Sequence, residues 1–220
     1  MKPLISDLYI LNGNITLFLG THSAQFKEDI LHSSLLGQLL ADEMPDAWLS
    51  TYTNAMGRTY WALNNIKISL HKKKPASLLD ISSTALTDIL QREQLQQLST
   101  SLSAIAQLPD DSHARKALTN RLQSQNTPID DDDGTFTMNT LLTIVCENKK
   151  ILSLQVLLKT TRALDITFLE HVISEQLIVG EVKTNLWTAS LLEDKYVKIR
   201  ERVLSKLGST CQTHLFHINT

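Results

Sequence analysis

Two runs of alternating apolar residues, joined by a short polar turn, constrain this chain more than any other feature. In FTMNTLLTIVC, Phe136, Met138, Leu142, Ile144 and Cys146 share one face at period two, while Thr137, Asn139 and Thr143 take the other. ENKK turns the chain, and ILSLQVLL repeats the alternation with Leu152, Leu154, Val156 and Leu158. Such a pair folds as a long antiparallel hairpin and seeds a sheet. A second hairpin signal lies near the start, where Asn12-Gly13 separates LYIL from NITLFL; both turn residues tolerate positive φ. One or two further strands are expected within 168–189, and QTHLFHI near the end reads as a last strand.

Helices surround these strands. Phe26, Ile30, Leu31, Leu35, Leu39 and Leu40 recur at helical spacing from Ser23 to Met44-Pro45. A shorter helix carries Trp48 and Tyr52 one turn apart and stops at Gly57, after which TYWALNNIKISL reads as a strand. Residues 76–123 form a helical lobe inserted between strands, with Leu95, Leu98, Leu102 and Ile105 on one face. SQNTPIDDDDGT then makes an acidic loop over 124–135. SLLEDKYVKIRERVLSKLG predicts a helix with a Ser190–Glu193 capping box, a buried stripe of Leu192, Tyr196, Ile199, Val203 and Leu207, and a stop at Gly208. Antiparallel hairpins with helices in blocks, and no regular βα alternation, define an α+β chain: one domain over 1–220, its sheet packed against helices.

Bulk properties exclude more than they assign. The chain has 220 residues, enough for a real core, and a net charge of −2, which gives no footprint for nucleic acid. The one basic cluster, His71-Lys72-Lys73-Lys74, reads as the solvated end of a strand. The apolar N-terminal stretch is interrupted by Asp7, Asn12, Gly13 and Asn14, unlike a signal peptide, and no run approaches the ~18 residues of a membrane span. Two cysteines make no disulfide framework. Synthesis in the cytoplasm is therefore expected, with membrane association or export by a non-classical route as the further step.

Candidate sites are few. The acidic run Asp130–Asp133 fails as an EF-hand: with Gly134 at position 6, position 1 falls on Ile129 and position 12 on Thr140. Cys211, His214 and His217 are weak metal candidates, because two of them face opposite ways on a strand and no fourth ligand is visible. No nucleophile elbow, phosphate loop or metalloprotease motif occurs, so no catalytic residue is assigned and no cofactor is expected. Cys146, on an apolar strand face, is either a small buried hydrophobe or a thiol facing an internal apolar cavity that could hold an acyl chain. Trp48, Tyr52, Tyr60 and Trp61, gathered within residues 48–61, read as a structural aromatic corner packed edge-to-face at a helix–strand junction.

Three stretches together carry a family resemblance: THSAQFKEDILHSSLLGQLLADE, the W-x3-Y-x4-G-x3-W order of Trp48, Tyr52, Gly57 and Trp61, and YVKIRERVLSKLG. The arrangement resembles a group of uncharacterised bacterial and fungal proteins, and is similar to Evf-type bacterial virulence factors that promote persistence in insect hosts. The resemblance implies an α/β fold and a cysteine bearing thioester-linked palmitate in an apolar interior. Cys146 is the better match for that role, and Cys211 the fallback. It further implies a non-enzymatic host-interaction protein whose partner is a membrane or a host protein. Two other readings remain: a lipid-free interaction module of a larger bacterial assembly, and an enzyme whose site is assembled from scattered residues. Oligomeric state is not legible.

Overall fold

The computed structural model describes residues 6–64, 66–123 and 134–219. The Asn12-Gly13 turn, with φ of 51° and 75°, joins β1 (Ser6–Leu11) to β2 (Asn14–Leu19). Then come α1 (Ala24–Asp42), whose Ser23 side chain accepts from the Phe26 amide, and α2 (Trp48–Arg58). The expected single strand over TYWALNNIKISL is two, β3 (Trp61–Leu63) and β4 (Lys67–His71). The helical lobe comprises α3 (Leu78–Leu86), α4 (Arg92–Ala106) and α5 (His113–Gln123). The long hairpin follows as β5 (Phe136–Val145) and β6 (Ile151–Thr160), then β7 (Ile178–Leu191), α6 (Glu193–Tyr196), α7 (Arg200–Leu207), α8 (Thr210–His214) and β8 (Leu215–Ile218). Most of the acidic loop, Asp130–Asp133 included, lies outside the described residues.

The eight strands form one sheet in the order β3-β7-β6-β5-β2-β1-β8, with β4 also on β7. Every pairing is antiparallel except β2 with β5, which the helices between them bring together in parallel. The fold is α+β, and both sheet faces are covered. One buries Leu142, Ile144, Leu154 and Val156 beneath α3, α4 and α5. The other buries Phe18, Leu141, Val145 and Trp187 beneath α1 and α2, with Tyr196, Val203 and Leu207 joining from the C-terminal helices.

The second face holds what the alternation conceals. Asn139 and Thr143 do face away from Met138 and Ile144, but they are buried rather than solvated. Side-chain amides bond one another laterally: Gln155 Nε2 donates to Asn139 Oδ1 and Asn185 Nδ2 to Gln155 Oε1, both at 2.8 Å, while Asn185 Oδ1 has no partner among the described residues. Asn14 continues this polar layer, donating to Gln38 and accepting from the Leu141 amide. A buried polar group left unpaired costs about 1–3 kcal/mol, so these ladders are what admit amides beneath α1.

Two further expectations are corrected. Ser190 caps no helix: it lies in β7 opposite Ala62, because β3 extends the sheet that far. The helix after it is broken at Val197–Ile199, separating α6 from α7, and Leu192 is left exposed. Genuine capping boxes open α3, Ser77 with Asp80, and α4, Gln91 with Gln94.

Candidate functional site

Cys146 follows β5 immediately, 8% exposed, on the face covered by the helical lobe. It borders an open groove of about 470 Å³ whose other walls include Gln91, Gln94, Glu147, Asn148 and Lys150. Burial pushes its thiol pKa up, with Lys150 acting weakly the other way. A thiol so placed stays protonated near neutrality and is a poor nucleophile, since the thiolate is the reactive form. Iodoacetamide alkylation of Cys146 at neutral pH is expected to be slower than that of an unstructured cysteine, and to accelerate only as pH rises above the ordinary thiol range. Peptide mapping of the labelled protein reads this directly; alkylation at the free-cysteine rate would mean the end of β5 is open.

Cys211 and His214 stand on α8 rather than on a strand, and His217 on β8 stacks against Tyr9 at 4.7 Å. His214 Nδ1 is tied to Thr213 Oγ1 and the Thr210 carbonyl. Among the described residues no three His, Cys, Asp or Glu side chains are grouped to hold a metal.

Trp48, Tyr52 and Trp61 are buried between α2, α1 and the sheet. Their geometry differs from the expected edge-to-face corner. Trp48 lies flat on Tyr52, 5.1 Å between centroids at 12°, and the edge contact is between Tyr52 and Trp187. Trp61 Nε1 donates to Ser33 and the Tyr52 hydroxyl bonds Ser34, so both rings are fixed to α1. Burial holds the Tyr52 hydroxyl well above the usual phenol range. Tyr60 leaves the corner: with φ of 62° it turns the chain from α2 into β3, and its ring is exposed.

The surface feature that packing does not explain is the outer edge of the sheet. β7 is 14 residues long, and its free side takes β3 opposite Ala189–Leu191 and β4 opposite Val182–Leu186. Asn64 pins the chain between them through its amide to Thr188 O and its side chain to Thr188 Oγ1. Along β4 the pleat turns Ser69 and His71 to one side, where His71 Nε2 meets Thr184 Oγ1 at 3.0 Å. Ile66, Ile68 and Leu70 take the opposite side and stand 39%, 59% and 61% exposed. Lys67 stands on the Ser69 side of the strand and Lys72, Lys73 and Lys74 follow its end, all exposed. The lysines alone would be an ordinary guard on an edge strand. Three aliphatic side chains held into water beside them are not. Sequence reading found the basic cluster but not the row, because only the topology shows that β4 is an edge.

No protein-family model matches the sequence, and no curated protein matches it. Solved structures do match at low identity. A delta-endotoxin is 13% identical with a TM-score of 0.39, covering 81% of each chain. The activated Cyt2Ba monomer from Bacillus thuringiensis subsp. israelensis is 12% identical with a TM-score of 0.38, covering 82% of this chain and 98% of that one. The Evf virulence factor is 7% identical with a TM-score of 0.39, covering 93% of this chain and 82% of that one.

Proposed function

We propose that this chain is a non-enzymatic, virulence-type binding protein that docks on anionic membrane surfaces through the β4 edge. The observation that supports it is the row of Ile66, Ile68 and Leu70 on an edge that also carries four exposed lysines, Lys67 and Lys72 to Lys74. Among the described residues no helix is long and apolar enough to cross a membrane, so this contact is peripheral. The net charge of −2 does not draw the molecule to an acidic surface; the local lysines do. Each lysine near an anionic leaflet contributes about 1 kcal/mol, and aliphatic side chains entering the interface add to that. The virulence role is that of the sequence resemblance, and palmitate on Cys146 is not required.

The check is co-sedimentation with vesicles of phosphatidylglycerol and phosphatidylcholine. Wild-type protein should bind the mixed vesicles, weaken with salt, and leave pure phosphatidylcholine largely free. Replacing Lys72, Lys73 and Lys74 by Gln should weaken binding by roughly 100-fold, from three lysines at about 1 kcal/mol each. Ile68→Ser with Leu70→Ser should weaken it without changing charge. Equal retention of all three proteins, or none of the wild type, would overturn the proposal and leave the edge to a protein partner.

A further inference from the structure

At the opposite edge of the sheet, six strand spacings or roughly 30 Å from β4, a second surface is built from parts distant in sequence. α5 lies against the Asn12-Gly13 turn so closely that a Cβ on Gly13 would come within 2.6 Å of Ala117 O and of Arg121 Cβ. This contact delivers Arg121 to the end of α1. Its Nη1 donates to Asp42 Oδ1 at 2.7 Å, its Nε donates to Asn139 O at 3.1 Å, and its guanidinium lies over the Trp48 ring. Asp42 also accepts from Trp48 Nε1 at 2.6 Å and Asn12 Nδ2 at 2.7 Å. Three donors therefore engage both oxygens of the carboxylate, and Arg121 offsets its charge.

What remains around this hub is rich in donors. His113, Lys116 and Asn120 follow one another along the exposed face of α5, and His214 faces them from α8 across an open groove of about 420 Å³. Lys116 makes no ion pair among the described residues, and His214, whose Nδ1 is turned to Thr213 Oγ1 and the Thr210 carbonyl, has no partner there for Nε2. Arg121 and Asp42 also border the groove; Arg121 is 7% exposed, and its Nη2, buried from solvent, has no hydrogen-bond partner among the described residues.

We infer that this groove binds a phosphate-bearing ligand, held by Lys116, Asn120 and His214 beside the Arg121–Asp42 hub. A mobile ammonium and an amide donor are groups that recognise phosphate oxygens, and an imidazole nitrogen can accept from a phosphate hydroxyl. The groove falls within the size range of small-molecule sites, so it accommodates a phosphate with the group esterified to it. A soluble phosphate ester and a lipid headgroup share this chemistry. The inference does not rest on the membrane reading, which concerns the other edge.

The probe is inorganic phosphate, titrated into the 15N-labelled full chain at constant ionic strength. Saturable shifts of the Asn12, Gly13 and Asn120 amides are expected, with chloride producing none. Lys116→Gln should weaken binding about ten-fold, as the loss of one charge-assisted hydrogen bond. Asn120→Asp, which adds a second carboxylate to the groove beside the Arg121-paired Asp42, should abolish it. Both positions are exposed, so the fold should survive, and the unchanged remainder of each spectrum reports that. Glycerol 3-phosphate and phosphatidate vesicles separate the two sources. These arms use the Lys72, Lys73 and Lys74 to Gln background, so that this inference and the membrane reading fail separately. Binding of the ester alone assigns a soluble ligand, and vesicle retention lost in Asn120→Asp assigns a headgroup. Absent shifts, equal shifts with chloride, or shifts unaltered by both substitutions would overturn the assignment.

Discussion

Arg200→Met should destabilise the protein by about 3–5 kcal/mol, although Arg200 lies at the edge of the structure and not in its core. Its Nε and Nη2 each donate to a different oxygen of Asp29 at 2.7 Å, a bidentate pair. Asp29 is 3% exposed on α1, facing the C-terminal helices, with Gln25 as its other side-chain donor. Removing the guanidinium strands a buried carboxylate, the costly direction in which to break such a pair. Asp29→Leu should cost less, because Arg200 still reaches water. The double variant should recover stability relative to Arg200→Met, since two apolar side chains leave no buried charge behind. Urea denaturation of the three proteins measures this as a coupling energy. Additive effects would mean that α7 is held to α1 by Val203 and Leu207 alone and that the ion pair is incidental.

That pair was invisible in the sequence, and the reason separates what could be read from what could not. Local signals came through where a residue's own backbone chemistry decides the outcome. Asn12-Gly13 makes the hairpin turn because both residues accept positive φ, and Ser23 starts α1 because its side chain reaches the Phe26 amide. The β5–β6 hairpin followed from its alternation. Signals failed where the partner decides. Ser190–Glu193 has the form of a capping box, yet pairing with Ala62 holds Ser190 in β7. Asn139 and Thr143 marked only the other face of a strand, because nothing local announces that α1 and α2 cover it, or that Gln155 and Asn185 complete the ladder. The candidate surfaces divide in the same way. Lys72–Lys74 could be seen, but the edge position that makes Ile68 and Leu70 notable belongs to sheet order. The groove opposite gathers residues 12, 42, 113–121 and 214; among them the Asn-Gly turn carried a local signal, and His214 drew notice only as a weak metal candidate.

Gly13 is where these local and distant demands meet, and Gly13→Ala should cost about 2–5 kcal/mol. Two effects add. The residue stands at φ 75°, where a side chain costs roughly 1–2 kcal/mol. The new methyl would also sit 2.6 Å from Ala117 O and from Arg121 Cβ, and forcing atoms into packed space costs typically about 1–3 kcal/mol. Neither neighbour is a flexible tip; one is helix backbone and the other the root of a side chain held at both ends, by Asn139 and Asp42. Gly37 makes the contrast, because its nearest obstacle is the mobile Cε of Met56. Gly180 supplies the control: φ is 72°, but nothing lies within 4 Å of its missing Cβ, so Gly180→Ala should show the backbone effect alone. Relief of the clash in Gly13→Ala requires α5 to back away from the turn. Arg121 should then loosen from Asp42 and Trp48, and indole emission should change along with the unfolding midpoint. A midpoint lowered no further than in Gly180→Ala, with unaltered emission, would mean that α5 does not rest on the turn and that the groove beside it is not built as described.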